Sequence, residues 1–165
     1  MPNGVSELNG INASITNNND LAPFVRLANR ASIFAIGESA HGVAGYQSFQ
    51  FRLSKYLIKN FNYRRILSEV LSDDRALNHY LLTGEGNIYQ ILYLNSWQGD
   101  DKEMVEFWQW IREYNSQNQD KPVTAHSVDP QTPWLDARKY RKLLVFKIQN
   151  NFKNFPFCSL SFPTN

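Results

Sequence analysis

A compact, mostly apolar run that stops at a glycine is the sequence feature that most constrains the fold. Residues 32–36 (SIFAI) form this run, and Gly37 ends it. Such a pattern is typical of a buried β-strand that is closed by a turn. Residues 65–70 and 122–128 are similar short runs, and they predict a second and a third strand.

Segments with helical periodicity separate these runs. Tyr46, Phe49, Leu53, Tyr56 and Leu57 form one apolar stripe at helical spacing, which predicts an amphipathic helix that ends near Asn60. Shorter helices are expected over residues 21–30 and, before Gly84, over residues 72–82. The clearest apolar face predicts a helix over residues 101–114.

The order of these elements predicts the fold class. Strand, helix, strand, helices and strand follow one another, with connections long enough for crossovers. We therefore expect an α/β fold with parallel strands and crossover helices, and a helical bundle is the less favoured alternative. We predict a flexible Asn-rich arm over residues 1–20, the α/β domain over residues 21–141, and an atypical basic, Phe-rich tail over residues 142–165.

Composition excludes several classes of function. The chain has 165 residues, the length of one ordinary domain, and its net charge of +2 gives no electrostatic case for a nucleic-acid partner. No stretch is apolar enough to span a bilayer, so no membrane partner is expected. A single cysteine, Cys158, excludes an intramolecular disulfide and a multi-Cys zinc site. With no evident leader segment, we expect a cytoplasmic protein.

Polar residues follow each predicted strand. Glu38 and His41 come after the first, Glu69 after the second, and Asp129 and Gln131 after the third. Because parallel strands deliver their carboxyl ends to one edge of the sheet, we expect these side chains to share that edge.

The residue types at this edge suit acid–base chemistry. An imidazole can take a proton from water near neutral pH, so His41 is the candidate general base. Glu38 or Glu69 would orient the ring and stabilise its charged form. Gly37 and Gly42 permit a tight turn before the following helix, whose first amides could bind an anion. Ser39 lacks the Gly-x-Ser-x-Gly context of a serine nucleophile.

Two other interpretations of these residues remain. A metal could be bound by Glu38, His41 and Glu69. The spacing of Glu38 and His41 suits two ligands on a helix, however, whereas this segment is predicted to be a turn. We therefore expect no metal and no cofactor. His126, inside the third strand, is expected to be a hydrogen-bonded strand residue rather than a ligand.

The residues also resemble a known family. The segment IGESAHG (residues 36–42), Glu69 after the second strand, the segment WIREYN (residues 110–115), and Asp129 with Gln131 occur in this order. This set resembles the erythromycin esterase family, which includes proteins labelled as succinoglycan biosynthesis proteins. The resemblance covers roughly residues 22–141.

The resemblance implies metal-independent hydrolysis of an ester or macrolactone, with His41 activating water and Glu38 and Glu69 as site carboxylates. Its best-known members open the lactone ring of macrolide antibiotics. Arg52, Asp129 and Gln131 would then contact a small-molecule ester substrate. An arginine that family members commonly carry on the first helix is replaced here by Gln50.

Length separates this chain from typical family members, which are more than twice as long. The resemblance therefore implies an incomplete first half of an erythromycin-esterase-like fold. The alternative function is a truncated, catalytically inactive remnant or binding module. That alternative predicts uncovered apolar surface and self-association through it.

Overall fold

The computed structural model describes residues 7–37, 40–69, 71, 74–95 and 101–128. The predictions for Glu38, Asp129 and Gln131, and for the tail at residues 142–165, lie outside the described residues. In chain order the elements are a 3-10 turn (Asn19–Leu21), α1 (Ala22–Ala28), α2 (Ala44–Phe61), β1 (Arg65–Ser68), α3 (Arg75–Thr83), α4 (Ile88–Asn95), α5 (Lys102–Gln117) and β2 (Thr124–Ser127).

The helices with the strongest periodicity form where the sequence predicts them. In α2, the apolar stripe buries Leu53, Leu57 and Ile58, and the helix ends where Asn62 adopts a left-handed conformation with φ of 61°. Gly84, with φ of 81°, ends α3 in the same way. The separate helix α4 was not predicted.

Two parallel strands form the sheet of the described residues. β1 pairs with β2, so that Ile66 lies opposite Ala125 and Leu67 lies opposite His126. The chain between them contains α3, α4 and α5, which is the crossover that a parallel pair requires. The structure therefore confirms an α/β fold with parallel strands and crossover helices.

The first predicted strand differs from the structure. Residues 32–36 have no regular structure, and the side chain of Ile33 is 81% exposed. An apolar run becomes a strand only when another strand satisfies its backbone N–H and C=O groups. Among the described residues, no strand pairs with this run, so its composition alone does not make it a strand.

The main hydrophobic core lies between the sheet and the helices α3, α4 and α5. From α2, Phe51 stacks on Phe107 of α5 with ring centroids 4.4 Å apart. A second cluster joins α1 to the other side of α2 through Leu21, Ala28 and Leu57. The buried residues of the main core are Ile58, Leu71, Leu77, Leu81, Ile88, Leu92, Met104, Val105, Phe107, Trp108, Ile111, Val123 and Ala125.

Asn115 ties α5 to the chain that leads into β2. Its buried amide accepts a hydrogen bond from the Val123 N–H at 2.7 Å and donates to the Val123 carbonyl at 2.9 Å. The same amide nitrogen donates to the Leu81 carbonyl at the end of α3, at 3.1 Å. One side chain thus satisfies three buried backbone groups, each of which would be costly to leave unpaired.

Asn78 on α3 makes the equivalent pair of bonds two residues further along the chain. It accepts from the Ala125 N–H at 2.9 Å and donates to the Ala125 carbonyl at 2.7 Å. Asp74 then accepts a longer bond of 3.4 Å from the Ser127 N–H. Side chains from the helices therefore cover the outer edge of β2, the edge that faces away from β1.

We predict that Asn115→Ala lowers the free energy of unfolding by about 2 kcal/mol or more, because it leaves the buried Val123 groups without partners. Asn60→Ala is the matched control: Asn60 is exposed and donates one hydrogen bond to the Tyr56 carbonyl. The control should change stability by less than about 0.5 kcal/mol in urea unfolding. Equal losses in the two variants would contradict this account of Asn115.

Candidate functional site

Glu69 lies where the sequence predicts a site carboxylate. It directly follows Ser68, the last residue of β1, and its side chain is exposed. The carboxyl end of a parallel strand is where side chains of α/β proteins meet their ligands. The described structure thus places Glu69 at the expected end of the sheet.

His41 lies in the turn before α2. Gly42 adopts φ of 72°, a left-handed conformation that disfavours other residues, and α2 begins two residues later at Ala44. The imidazole is exposed. His41 therefore stands on a tight turn at a helix N-terminus, the local geometry that the Gly-rich motif predicts.

Arg52 binds the N-terminal arm, whereas the family resemblance implies that it contacts the substrate. All five guanidinium N–H groups donate to residues of the N-terminal arm: to both carboxylate oxygens of Asp20, to the carbonyls of Gly10 and Asn17, and to Asn18 Oδ1. The shortest of the two bonds to Asp20 is 2.6 Å, and both side chains are almost fully buried. The guanidinium therefore has no donor left for a substrate.

The same contacts revise the prediction of a flexible arm over residues 1–20. From residue 9 to residue 20 the chain wraps around the Arg52 guanidinium, and the Asn9 N–H donates to Asp20 at 2.8 Å. Polar, Asn-rich segments lack periodicity, yet their carbonyls and carboxylates can still surround a buried cation. The described part of the arm is therefore bound to α2.

A polar cluster that the sequence did not predict lies on β2. The His126 Nε2 atom is 3.0 Å from Thr124 Oγ1, and the Nδ1 atom is 3.7 Å from Asp74 Oδ2. His126 is thus the hydrogen-bonded strand residue that the sequence predicts, but with a carboxylate beside it. Only the Thr-x-His alternation was visible in the sequence, because Asp74 belongs to the distant start of α3.

Strand register relates this cluster to Glu69. Leu67 lies opposite His126. Glu69 comes two residues after Leu67, in the turn just past the end of β1. Glu69 and the cluster on β2 therefore both belong to the carboxyl-terminal part of the paired strands.

One groove is lined by residues 31–36, by residues 65–68 and by Phe51, Phe107 and Trp108, among others, and we call it the β1 groove. Its volume is about 1370 Å³. The groove reaches Ile36 and Ser68, the residues that come just before Gly37 and Glu69.

No group of three or more histidine, cysteine, aspartate or glutamate side chains that could hold a metal occurs among the described residues. The set Glu38, His41 and Glu69 includes one residue outside them. None of the helices in the described ranges is both long enough and apolar enough to cross a bilayer.

Two solved structures from Bacillus cereus are similar to this chain. One protein, 30% identical, superposes with a TM-score of 0.64 over 74% of this chain and 29% of its own. The other, a succinoglycan biosynthesis protein with 23% identity, superposes with a TM-score of 0.69 over 90% of this chain and 39% of its own. This chain thus spans well under half of either protein. No protein-family model and no curated protein matches it.

The ion pair between Asp20 and Arg52 predicts a loss of stability in acid. The hydrogen bonds from Arg52 lower the pKa of Asp20 from 3.8 to about 2. Because the folded state disfavours protonation, the stabilisation is complete above about pH 4 and is lost as the pH falls through about 2. Urea unfolding at several pH values between 2 and 6 measures this loss.

Asp20→Asn tests the same pair at neutral pH. It should cost about 3 kcal/mol, because it leaves a buried guanidinium without its anion, and it should flatten the acid limb of the stability profile. Asp120→Asn, at an exposed position, is the matched control and should change stability by less than about 0.5 kcal/mol. An unchanged acid limb in Asp20→Asn would contradict the assignment.

Proposed function

We propose that this chain is a hydrolase of the erythromycin esterase type, which cleaves an ester or macrolactone with water and without a metal. The observation that carries the proposal is the position of Glu69, at the carboxyl end of β1 in a parallel α/β sheet. The similarity to a succinoglycan biosynthesis protein supports it, because the resembled family includes proteins with that label.

In the proposed mechanism, His41 takes a proton from water as the water attacks the ester carbonyl. The imidazole then returns the proton to the leaving oxygen, so that an acid and an alcohol are released. Glu69 and Glu38 orient the ring and stabilise its charged form. The exposed turn that carries His41 leaves the ring accessible to water and to a substrate.

Substrate contacts are assigned to Asp129 and Gln131 on the basis of the family resemblance. Arg52 is not assigned to the substrate, since its five donors bind the arm. Its proposed role is to hold the arm on α2, on the helix that begins just after His41.

A second candidate function is a remnant or binding module that acts without catalysis. The observation that favours it is the outer surface of α4, where Tyr89, Tyr93 and Leu94 are exposed, Tyr93 by 74%. A helix that is apolar on its outer side normally packs against protein. Under this hypothesis the chain uses the exposed apolar surface of α4 to bind another copy of itself.

The hydrolase proposal predicts turnover of an activated ester, such as a p-nitrophenyl ester, or of a macrolide by the 165-residue chain. His41→Ala should lower kcat/KM by about 100-fold or more, because it removes the general base. His79→Ala is the matched control. The His79 imidazole lies on α3, is exposed, and has its Nε2 atom 3.1 Å from Glu85 Oε2. Turnover is expected to persist in EDTA.

Two results would overturn the hydrolase proposal as stated. Loss of turnover in EDTA would point to a metal. Loss of turnover in His126→Ala, with His41→Ala unchanged, would move the general base to the imidazole beside Asp74.

The remnant reading predicts self-association that depends on α4. Sedimentation of the wild-type chain should show a dimer whose fraction rises with concentration, and Tyr93→Glu should shift it to monomer by placing a charge in the apolar surface. Gln90→Glu, on the same helix at an exposed polar position, is the control. A wild-type chain that stays monomeric at every concentration contradicts this reading.

A further inference from the structure

The N-terminal arm is held on α2, although it adds little to the hydrophobic core. Apart from the Asp20 side chain, residues 7–20 are exposed or half-buried. The Arg52 guanidinium is nevertheless surrounded by oxygen atoms of this segment. Ordering a polar segment costs conformational entropy. Contacts that fix the arm without burying apolar surface therefore indicate a role outside the core.

Gly45 marks the point where the arm meets the helix that follows His41. It lies in the first turn of α2, four residues after His41. A Cβ atom at this position would lie 3.0 Å from Ile11 Cδ1, so the arm approaches the backbone of α2 closely. Glycine lowers helix stability relative to alanine, and here it makes room for the Ile11 side chain.

The contacts of Arg52 also fix the position of Ile11. The carbonyl of Gly10, the preceding residue, accepts a hydrogen bond from Arg52 Nη1 at 2.5 Å. A Cβ atom on Gly10 would lie only 2.8 Å from Ile15 Cδ1, so the chain is tightly folded at this point. Ile11 is thus held in place, yet 48% of the residue is exposed.

Two further exposed apolar residues adjoin the place where Ile11 packs. Tyr46 follows Gly45 on α2, and its N–H donates to the Val43 carbonyl at 2.9 Å. Val43 and Tyr46 are exposed to about the same degree as Ile11, and we call these three residues the arm patch. Apolar residues that are exposed singly need no explanation, but a group of them beside a candidate general base indicates a binding surface.

We propose that the arm patch binds the apolar acyl part of the ester, with Ile11 as a specificity-determining residue. This inference rests on the proposed function, because it concerns the substrate of the same site. Val43 comes two residues after His41, a separation of at most about 7 Å along the chain. An acyl chain of several carbons, attached to the carbonyl that the water attacks, can therefore reach the patch.

The size of the patch favours a small ligand over a protein partner. Three partly exposed side chains offer far less than the roughly 800 Å² that each partner of a stable protein complex buries. Apolar surface of this extent suits a short aliphatic chain, in which each methylene group that leaves water contributes about fourfold in affinity. Because the arm is already fixed by Arg52, little further ordering is needed on binding.

Selectivity between two esters tests the inference. Hydrolysis of p-nitrophenyl hexanoate and of p-nitrophenyl acetate is measured for the wild-type chain and for Ile11→Ser. The ratio of kcat/KM for the hexanoate to that for the acetate should fall by about fivefold or more in the variant, because the longer chain loses an apolar contact. Comparing this ratio between proteins removes the difference in chemical reactivity between the two esters.

Leu82→Ser is the matched control, because Leu82 is 50% exposed and lies on α3. Its ratio should stay within about twofold of the wild-type ratio. If esters are turned over and Ile11→Ser keeps the wild-type ratio, the patch does not contact the acyl chain, and this inference is wrong while the hydrolase proposal stands. Equal falls of the ratio in the two variants would also overturn it.

A binding measurement separates this inference from the proposed function. Hexanamide, an uncleaved relative of the ester, is titrated into the wild-type chain while the NMR signals of the Ile11 and Val43 methyl groups are followed. Both signals should shift saturably with hexanamide and not with acetamide.

Each result of the titration decides one proposal. Saturable shifts without turnover of either ester would overturn the hydrolase proposal alone, whereas signals that do not move with hexanamide would overturn this inference. Signals that shift with protein concentration in the absence of ligand would show that a second copy covers the patch, and they would overturn this inference as well.

Discussion

The amide side chains of Asn78 and Asn115 occupy the hydrogen-bonding positions that a further strand beside β2 would need. Each satisfies both an N–H and a C=O group of one strand residue, which water cannot reach in the core. Because the two amides come from α3 and α5, they also fix how these helices pack on the sheet. Within the described residues, the sheet is thus covered at the outer edge of β2, and β1 forms its other edge.

A buried ion pair joins the arm to α2. The Arg52 guanidinium is neutralised by Asp20 in this pair, so Arg52 stabilises the structure and has no donor left for a substrate. Glu69 follows the last residue of β1 and His126 lies within β2, and the described residues contain no group of three side chains that could hold a metal. An imidazole and carboxylates near water are the groups that proton transfer requires.

Sequence periodicity was sufficient to predict the elements whose structure depends on residues close together in the chain. The apolar stripe of α2, the apolar face of α5 and the end of α3 at Gly84 each depend on residues close together in the chain, so they could be predicted. Residues 32–36 were predicted as a strand from their composition and are not one in the structure, because a strand also needs a second strand to pair with. The contacts of Arg52 with the arm, and of His126 with Asp74, join residues far apart in the chain, and no local pattern signals them. The segment WIREYN carries part of the family resemblance, and in the structure its Asn115 bonds to the backbone of Val123, just before β2.

A double-mutant cycle on ester hydrolysis tests most directly whether His41 and Glu69 act together on one water molecule, as proposed. The cycle compares kcat/KM of the wild type with His41→Ala, Glu69→Gln and the double variant, with all four chains shown to be folded. If the two side chains form one unit, the double variant should lose about as much as His41→Ala alone. Losses that simply multiply would show that the two residues act independently and would contradict the account.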